Sequence, residues 1–363
     1  MNKTINWIIL QRAIVFFGLL FLFLLGITIF GSALNGLGVD LVQEYLKKVN
    51  SPLLGLFLGM LVTAVVQSSS LITSILVGLV SAGMSLEIAV PIVLGANVGT
   101  TITSTLVAFG HIANKKEFRR AVSAASAHAF FNILCVIIFF PLELLFGFLS
   151  NSARFIADFI PLNQIDKSIG ILEISISPIS NYVIKSLNNA YFSLVLGLVF
   201  LFLAVRLMLV FFRGTVLNKV TSASSLSFVL SDIKMILSGI GLTILVRSSS
   251  VTTSLLVPFV ASKKIKLEKA FSFIMGANLG TTFTALLVGV CSNSSSAMVI
   301  ALVHFLFNFF GVVLFFPNTM LRLIPIFLAK KIGEWSYHNR MIGVVYVGLT
   351  FFVIPLLLFL VFK

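Results

Sequence analysis

Charge is what this chain has least of. Asp, Glu, Lys and Arg make up 10% of its 363 residues, against about 25% in a soluble domain. So few charges cannot coat a water-facing surface of that size. Acidic residues number only 11. Glu87, Glu143 and Asp232 fall near the ends of apolar segments and none falls mid-segment, which leaves a carboxylate proton relay without a candidate. The two cysteines, Cys135 and Cys291, lie in apolar stretches without paired spacing, so they read as small packing residues and exclude a disulfide framework. No Gly-x-Ser-x-Gly turn surrounds any serine cluster, which removes the usual setting of a serine nucleophile. The chain reads as a non-enzyme, with no low-complexity segment and no appended soluble domain.

What is abundant is apolar: 59% hydrophobic residues, 37 Phe and a mean hydropathy of +1.13. A membrane span needs about 20 mostly apolar residues, and seven segments qualify: 12–30, 86–109, 119–141, 190–212, 270–291, 297–317 and 341–362. The apolar run of the first, Ile14 to Phe30, follows Lys3 and Arg12, lacks a small-residue cleavage site, and is expected to be an uncleaved span. Two further stretches, 53–82 and 229–261, are too long for one span and are interrupted by serine triplets. Each fits a re-entrant hairpin with its tip at the triplet. Broken helices at membrane depth are tolerated where they line a cavity or are buried in protein. Asn35–Asn50 is expected to form a short interfacial helix.

The net charge of +14 would suit nucleic acid, but cytoplasmic crowding of Lys and Arg explains it better, and no nucleic-acid partner is expected. With a cytoplasmic N-terminus, only Lys47, Lys48, Arg154, Lys167, Lys185 and Lys363 fall outside and Arg247 falls within the membrane. The opposite orientation would violate the positive-inside bias. The C-terminus is then extracytoplasmic, and a multi-pass protein of a cell (bacterial inner) membrane is expected.

Three blocks of sequence occur twice. Gln67-Ser68-Ser69-Ser70 returns as Arg247-Ser248-Ser249-Ser250, Gly95-Ala96-Asn97-x-Gly99-Thr100-Thr101 as Gly276-Ala277-Asn278-x-Gly280-Thr281-Thr282, and His128-x-x-x-Asn132 as His304-x-x-x-Asn308. The offsets are 180, 181 and 176 residues (67 to 247, 95 to 276, 128 to 304). Polar groups unpaired in hydrocarbon cost several kcal/mol, so keeping them in both copies marks a polar site between repeats. Three crossings per repeat make the second copy enter from the opposite side. The expected class is therefore an all-α polytopic integral membrane protein with inverted structural repeats, each carrying a re-entrant helical hairpin. Its parts are repeat 1 (1–149, hairpin 53–82, unwound segment 86–109), an extracellular linker (150–189) and repeat 2 (190–317, hairpin 229–261, unwound segment 270–291). A cytoplasmic loop and final span (318–363) complete it.

A half-helix starting at a serine triplet aims free backbone N–H groups and a positive dipole end at an anion. Ser hydroxyls donate to oxyanions or turn lone pairs toward a cation. Gln67, Ser68, Ser69, Ser70, Arg247, Ser248, Ser249 and Ser250 are thus the candidate substrate residues. Gln67, Ser69, Thr73, Asn97, Thr100, Thr101, Ser249, Thr253, Asn278, Thr281 and Thr282 form an oxygen-only candidate set for a hard cation, Na⁺ rather than H⁺. The glycines flanking each Asn are expected to loosen the helix and free carbonyls; close helix packing is the other reading. His128 with Asn132, and His304 with Asn308, share helix faces and are expected to orient the hairpins by hydrogen bonding; a proton-sensitive element is the other reading, since histidine titrates near neutral pH.

These paired motifs, with Phe118-Arg119-Arg120-Ala121 and Pro141-Leu142-Glu143, resemble the type II sodium-dependent phosphate cotransporters over nearly the whole chain. The resemblance implies inorganic phosphate as substrate, Na⁺ as the driving ion, alternating access by elevator-like movement of a core against a scaffold, and room for a homodimer. Another oxyanion, sulfate or a carboxylate, is the alternative cargo. The chain departs from the family pattern at Arg247, where Gln is expected. A cation there is costly and functional by default; it would grip phosphate as a planar fork or stand in for one Na⁺. By the same resemblance, a last cytoplasm-returning span that longer relatives carry is expected to be missing after 341–362.

Overall fold

A computed structural model describes residues 51–160, 171–212, 231–292 and 294–361, plus scattered helical positions between 11 and 33. The interfacial helix expected at Asn35–Asn50 lies outside the described residues. Every described element is helical. In order they are α1 (Pro52–Val66), α2 (Ser69–Ser81), α3 (Leu86–Gly99), α4 (Ile102–Phe109), α5 (Lys115–Phe146), α6 (Phe148–Asp158), α7 (Ile171–Leu187) and α8 (Ala190–Phe212). Then follow α9 (Asp232–Val246), α10 (Ser249–Ala261), α11 (Leu267–Cys291), α12 (Ser295–Phe315), α13 (Thr319–His338), α14 (Arg340–Gly348), a π turn (Leu349–Val353) and α15 (Ile354–Val361). Among the described residues, five helical stretches are long and apolar enough to cross a membrane: Leu86–Phe109, Lys115–Phe146, Leu267–Cys291, Ser295–Phe315 and Arg340–Val361. The last presents bare Val345, Phe352, Leu357 and Leu360 on its outside, as a lipid-facing helix does.

The two halves use the same local devices. Ser51 caps α1 by accepting from the Leu54 amide at 3.2 Å, and Ser231 caps α9 by accepting from Lys234 at 3.4 Å. Pro52 sits at the first turn of α1, where its missing N–H costs nothing. α1 then packs on α3, and α9 on α11. Both contacts are glycine-made. A β-carbon on Gly59 or Gly95 would collide with the Ile92 or Leu56 carbonyl, and one on Gly239 or Gly276 with the Phe273 or Ile236 carbonyl. In lipid, helices gain little from apolar burial against each other, so this backbone approach carries their association.

That packing corrects the expected unwinding at 270–291. α11 is one uninterrupted helix through Gly276-Ala277-Asn278-x-Gly280; its glycines admit α9 rather than loosen the turn. In the first copy the helix is interrupted only at Thr100 and Thr101, whose backbones stay near helical values. Pro91, without a counterpart in α11, removes one backbone donor from α3.

The segment after 317 differs from the expected loop. Residues 319–338 form α13, burying Ile326, Ala329, Gly333 and Ser336, which are spaced three or four apart on one face. Gly333 lies where a β-carbon would strike the Ser123 hydroxyl and the Arg119 carbonyl of α5. Exposed Lys330, Lys331 and Glu334 disguised it as a loop. The region expected as linker also holds α6, whose N-terminus is tied to α5. Glu143 accepts from the Leu149 and Ser150 amides at 2.7 and 3.1 Å, across a left-handed Gly147 (φ 59). At the start of α9, Asp232 pairs with Lys269 and Arg322, both at 2.9 Å. Its carboxyl is held below the ordinary range: partial burial pushes upward, but the hydrogen bonds from Lys269 and Arg322 outweigh it.

Candidate functional site

Both serine triplets break a helix in the same way. α1 ends at Gln67 (φ 59, ψ 26) and α9 at Arg247 (φ 56, ψ 26), two left-handed non-glycine residues. Each returns its N–H to the helix, to the Thr63 and Thr243 carbonyls at 2.7 and 2.6 Å. Ser68 and Ser248 then extend and cap the second half-helices, accepting from the Leu71 and Val251 amides at 3.3 Å. Left-handed backbone costs a side-chain-bearing residue about 1–2 kcal/mol. Strain of this kind, repeated in both copies, marks a site and is sustained by the packing around it.

The breaks meet the Gly-Ala-Asn segments crosswise. Ser70 Oγ lies 3.0 Å from Thr281 Oγ1, and Ser250 Oγ lies 2.9 Å from Thr100 Oγ1. The copies correspond as Ser70 to Ser250 and Thr100 to Thr281, so the two contacts are one contact made twice. Ser250 also donates to the Gln67 carbonyl at 3.3 Å, which joins the second break directly to the first. Ser69, Ser70, Ser249 and Ser250 are buried, Ser68, Ser248 and Arg247 half-buried, and Gln67 exposed.

The asparagines cross in the same sense. Asn278 donates to Asn132 Oδ1 at 2.8 Å and accepts from His128 Nε2 at 2.8 Å, which puts the histidine proton on Nε2. Asn308 donates to Asn97 Oδ1 at 3.0 Å. The histidines depart from symmetry here: neither ring nitrogen of His304 has a hydrogen-bond partner. His128 and Asn132 thus bind a motif from the other half of the chain, as does Asn308, whereas His304 does not.

The remaining candidates are committed locally. Thr73 and Thr253 donate to the Ser69 and Ser249 carbonyls at 2.8 Å. Thr101 donates to Val98 at 2.8 Å and Thr282 to Leu279 at 2.7 Å. Each hydroxyl keeps lone pairs a cation could use. The repeat also contains a pair that motif matching passed over. Thr63 and Thr243 stand four residues before Gln67 and Arg247, and both hydroxyls are buried without a hydrogen-bond partner. The signal was the threonine preceding each triplet at the same spacing.

Taken together, the apolar helices, the repeated breaks and the interlocked polar motifs define an all-helical membrane protein whose two motif sets form one buried polar centre. The comparisons narrow that class. The family model described as Na+/Pi-cotransporter matches residues 22–159 and 212–353, so the chain belongs to that family, a family of transporters rather than enzymes. Sodium-dependent phosphate transport protein 2B of Homo sapiens is 29% identical over 447 residues, covering 96% of this chain and 65% of the relative. The 2B protein of Pongo abelii matches to the same extent, and sodium-dependent phosphate transport protein 2A of Rattus norvegicus is 29% identical over 94% of this chain and 66% of its own length. The chain spans about two thirds of the curated relatives it matches. No solved structure matches it.

Proposed function

We propose that the protein is a secondary transporter coupling Na⁺ entry to import of inorganic phosphate, with the crossed serine breaks as the shared site. The observation that carries this reading is the doubled contact, Ser70 with Thr281 and Ser250 with Thr100. Each break is closed by the other half of the chain, so the two breaks form one unit that can carry its cargo as a whole. Two half-helix N-termini, at Ser69 and Ser249, supply backbone donors and positive dipole ends for a tetrahedral oxyanion. Surrounding hydroxyl, amide and carbonyl oxygens suit a hard cation. The relatives' names support phosphate and sodium as the pair.

In this reading the halves are inverted repeats, 53–82 and 229–261 are re-entrant hairpins, and the N-terminus is cytoplasmic. Alternating access follows from elevator-like sliding of the centre along a scaffold. Import of divalent phosphate against a negative-inside potential costs roughly 2.3 kcal/mol per charge per 100 mV, which accompanying cations offset. Arg247 supplies one fixed positive charge in the place where the first copy has Gln67.

The test is ³²P-phosphate uptake into proteoliposomes under an imposed Na⁺ gradient, for parent, Ser69→Ala and Arg247→Gln. Saturable, Na⁺-dependent uptake abolished by Ser69→Ala supports the reading. Competition by excess sulfate or a carboxylate, with phosphate failing to saturate, would move the assignment to that anion. If Arg247 replaces a cation, Arg247→Gln steepens the Na⁺ dependence; an unchanged slope and charge per phosphate reject that role.

A further inference from the structure

A cavity of about 430 Å³ lies where α5, the end of α10, the start of α11 and α13 converge, and no residue of the serine breaks lines it. Five basic residues face it, Arg119, Arg120, Lys263, Lys266 and Lys330, against two acidic ones, Glu268 and Glu334. The Lys330–Glu268 pair at 2.8 Å uses one charge of each sign, and an excess of three positive charges remains over the lining as a whole.

The positions of these charges are fixed by the fold. Arg120 Nε donates to the Ala261 carbonyl at 2.6 Å, tying α5 to the end of α10 and leaving the terminal N–H groups of the guanidinium for other acceptors. Lys263 holds a left-handed backbone (φ 62), a conformation glycine would adopt without strain, yet a cation stands there. α11 begins at Leu267 behind Lys266, with no side chain capping it, so the positive end of its dipole adds to the charge at the cavity wall. Val260, Ile265 and Leu267 supply an apolar side.

We propose that this cavity is a second anion site, separate from the serine breaks, that binds a phosphoryl oxyanion carried by an anionic lipid headgroup or by free phosphate. Arginine forks and several amines match the many acceptor oxygens of a phosphoryl group, and basic pockets between membrane helices suit headgroups. The assignment does not depend on what the serine breaks transport.

The test uses full-length protein stripped of lipid in detergent and Na⁺-free potassium buffer. One arm titrates inorganic phosphate by calorimetry; the other equilibrates the protein with phosphatidylglycerol or phosphatidylcholine vesicles and counts retained lipid by native mass spectrometry. Parent protein is compared with the triple variant Arg119→Gln, Lys263→Gln, Lys266→Gln, expected to bind about 100-fold more weakly. Glu334→Gln removes an opposing charge and should tighten binding. Its effect keeps the proposal testable where the triple variant folds poorly. Loss in the first arm assigns free phosphate, and loss of phosphatidylglycerol retention assigns lipid. Absence of binding in both arms, or binding unaltered by either variant, overturns the proposal.

Discussion

Replacing Asn278 by Ala should destabilise the protein more than replacing Asn97, although the two occupy the same place in the duplicated motif. Asn278 makes two hydrogen bonds across helices, from His128 and to Asn132, both at 2.8 Å. Asn97 makes one, from Asn308 at 3.0 Å; its amide donates to Val93 of its own helix. Side-chain hydrogen bonds within membranes average about 0.6 kcal/mol and reach about 1.7. A buried partner left unsatisfied adds about 1–3 kcal/mol. His128, Asn132 and Asn308 are all fully buried. At about 1–3 kcal/mol for each stranded group, Asn278→Ala strands two and costs about 2–6 kcal/mol, and Asn97→Ala strands one and costs about half that. Reversible unfolding in mixed detergent micelles, followed by circular dichroism, measures both. Equal costs, or a larger one for Asn97→Ala, would refute the hydrogen-bond assignment. A double-mutant cycle of Asn278→Ala with His128→Ala should return a coupling of about 0.6–1.7 kcal/mol.

Gly276→Ala drives a β-carbon into the Ile236 carbonyl and should cost about 1–3 kcal/mol by overpacking, whereas Gly241→Ala, with open space around it, should be silent in the same unfolding assay. Ser70→Ala and Ser250→Ala each remove one of the crossed contacts and should lower Na⁺-driven phosphate uptake to similar extents; loss in one alone would contradict their equivalence. Asp232 has its carboxyl pKa depressed in the folded state, so its contribution is present above the unfolded value of about 3.9 and disappears as pH falls through the folded value. Thermal stability of the parent should decline on acidification below about pH 4 more steeply than that of Asp232→Asn, and parallel curves would show the ion pairs to be inert.

The polar centre was legible because duplication marks it twice. A serine triplet in an apolar run is ambiguous alone, but at matched spacing it located both breaks, and the crossed pairing falls on residues the motifs named. The glycines were harder: Gly276 and Gly280 admit either unwinding or close packing, and only the position of the α9 carbonyls decides it. α13 was missed for a different reason. Its buried face is narrow, its other face carries Lys330, Lys331 and Glu334, and hydropathy alone reads that mixture as a loop. Thr63 and Thr243 escaped because a lone threonine in an apolar helix carries no signal until its twin is aligned.

The most direct measurement is oxidative cross-linking of engineered cysteine pairs in membranes, with Cys135 and Cys291 replaced by Ala. If the two helix breaks close on each other's half of the chain, Ser70→Cys with Thr281→Cys and Thr100→Cys with Ser250→Cys will both join readily. Failure of both pairs to join in protein that still transports would contradict the shared centre.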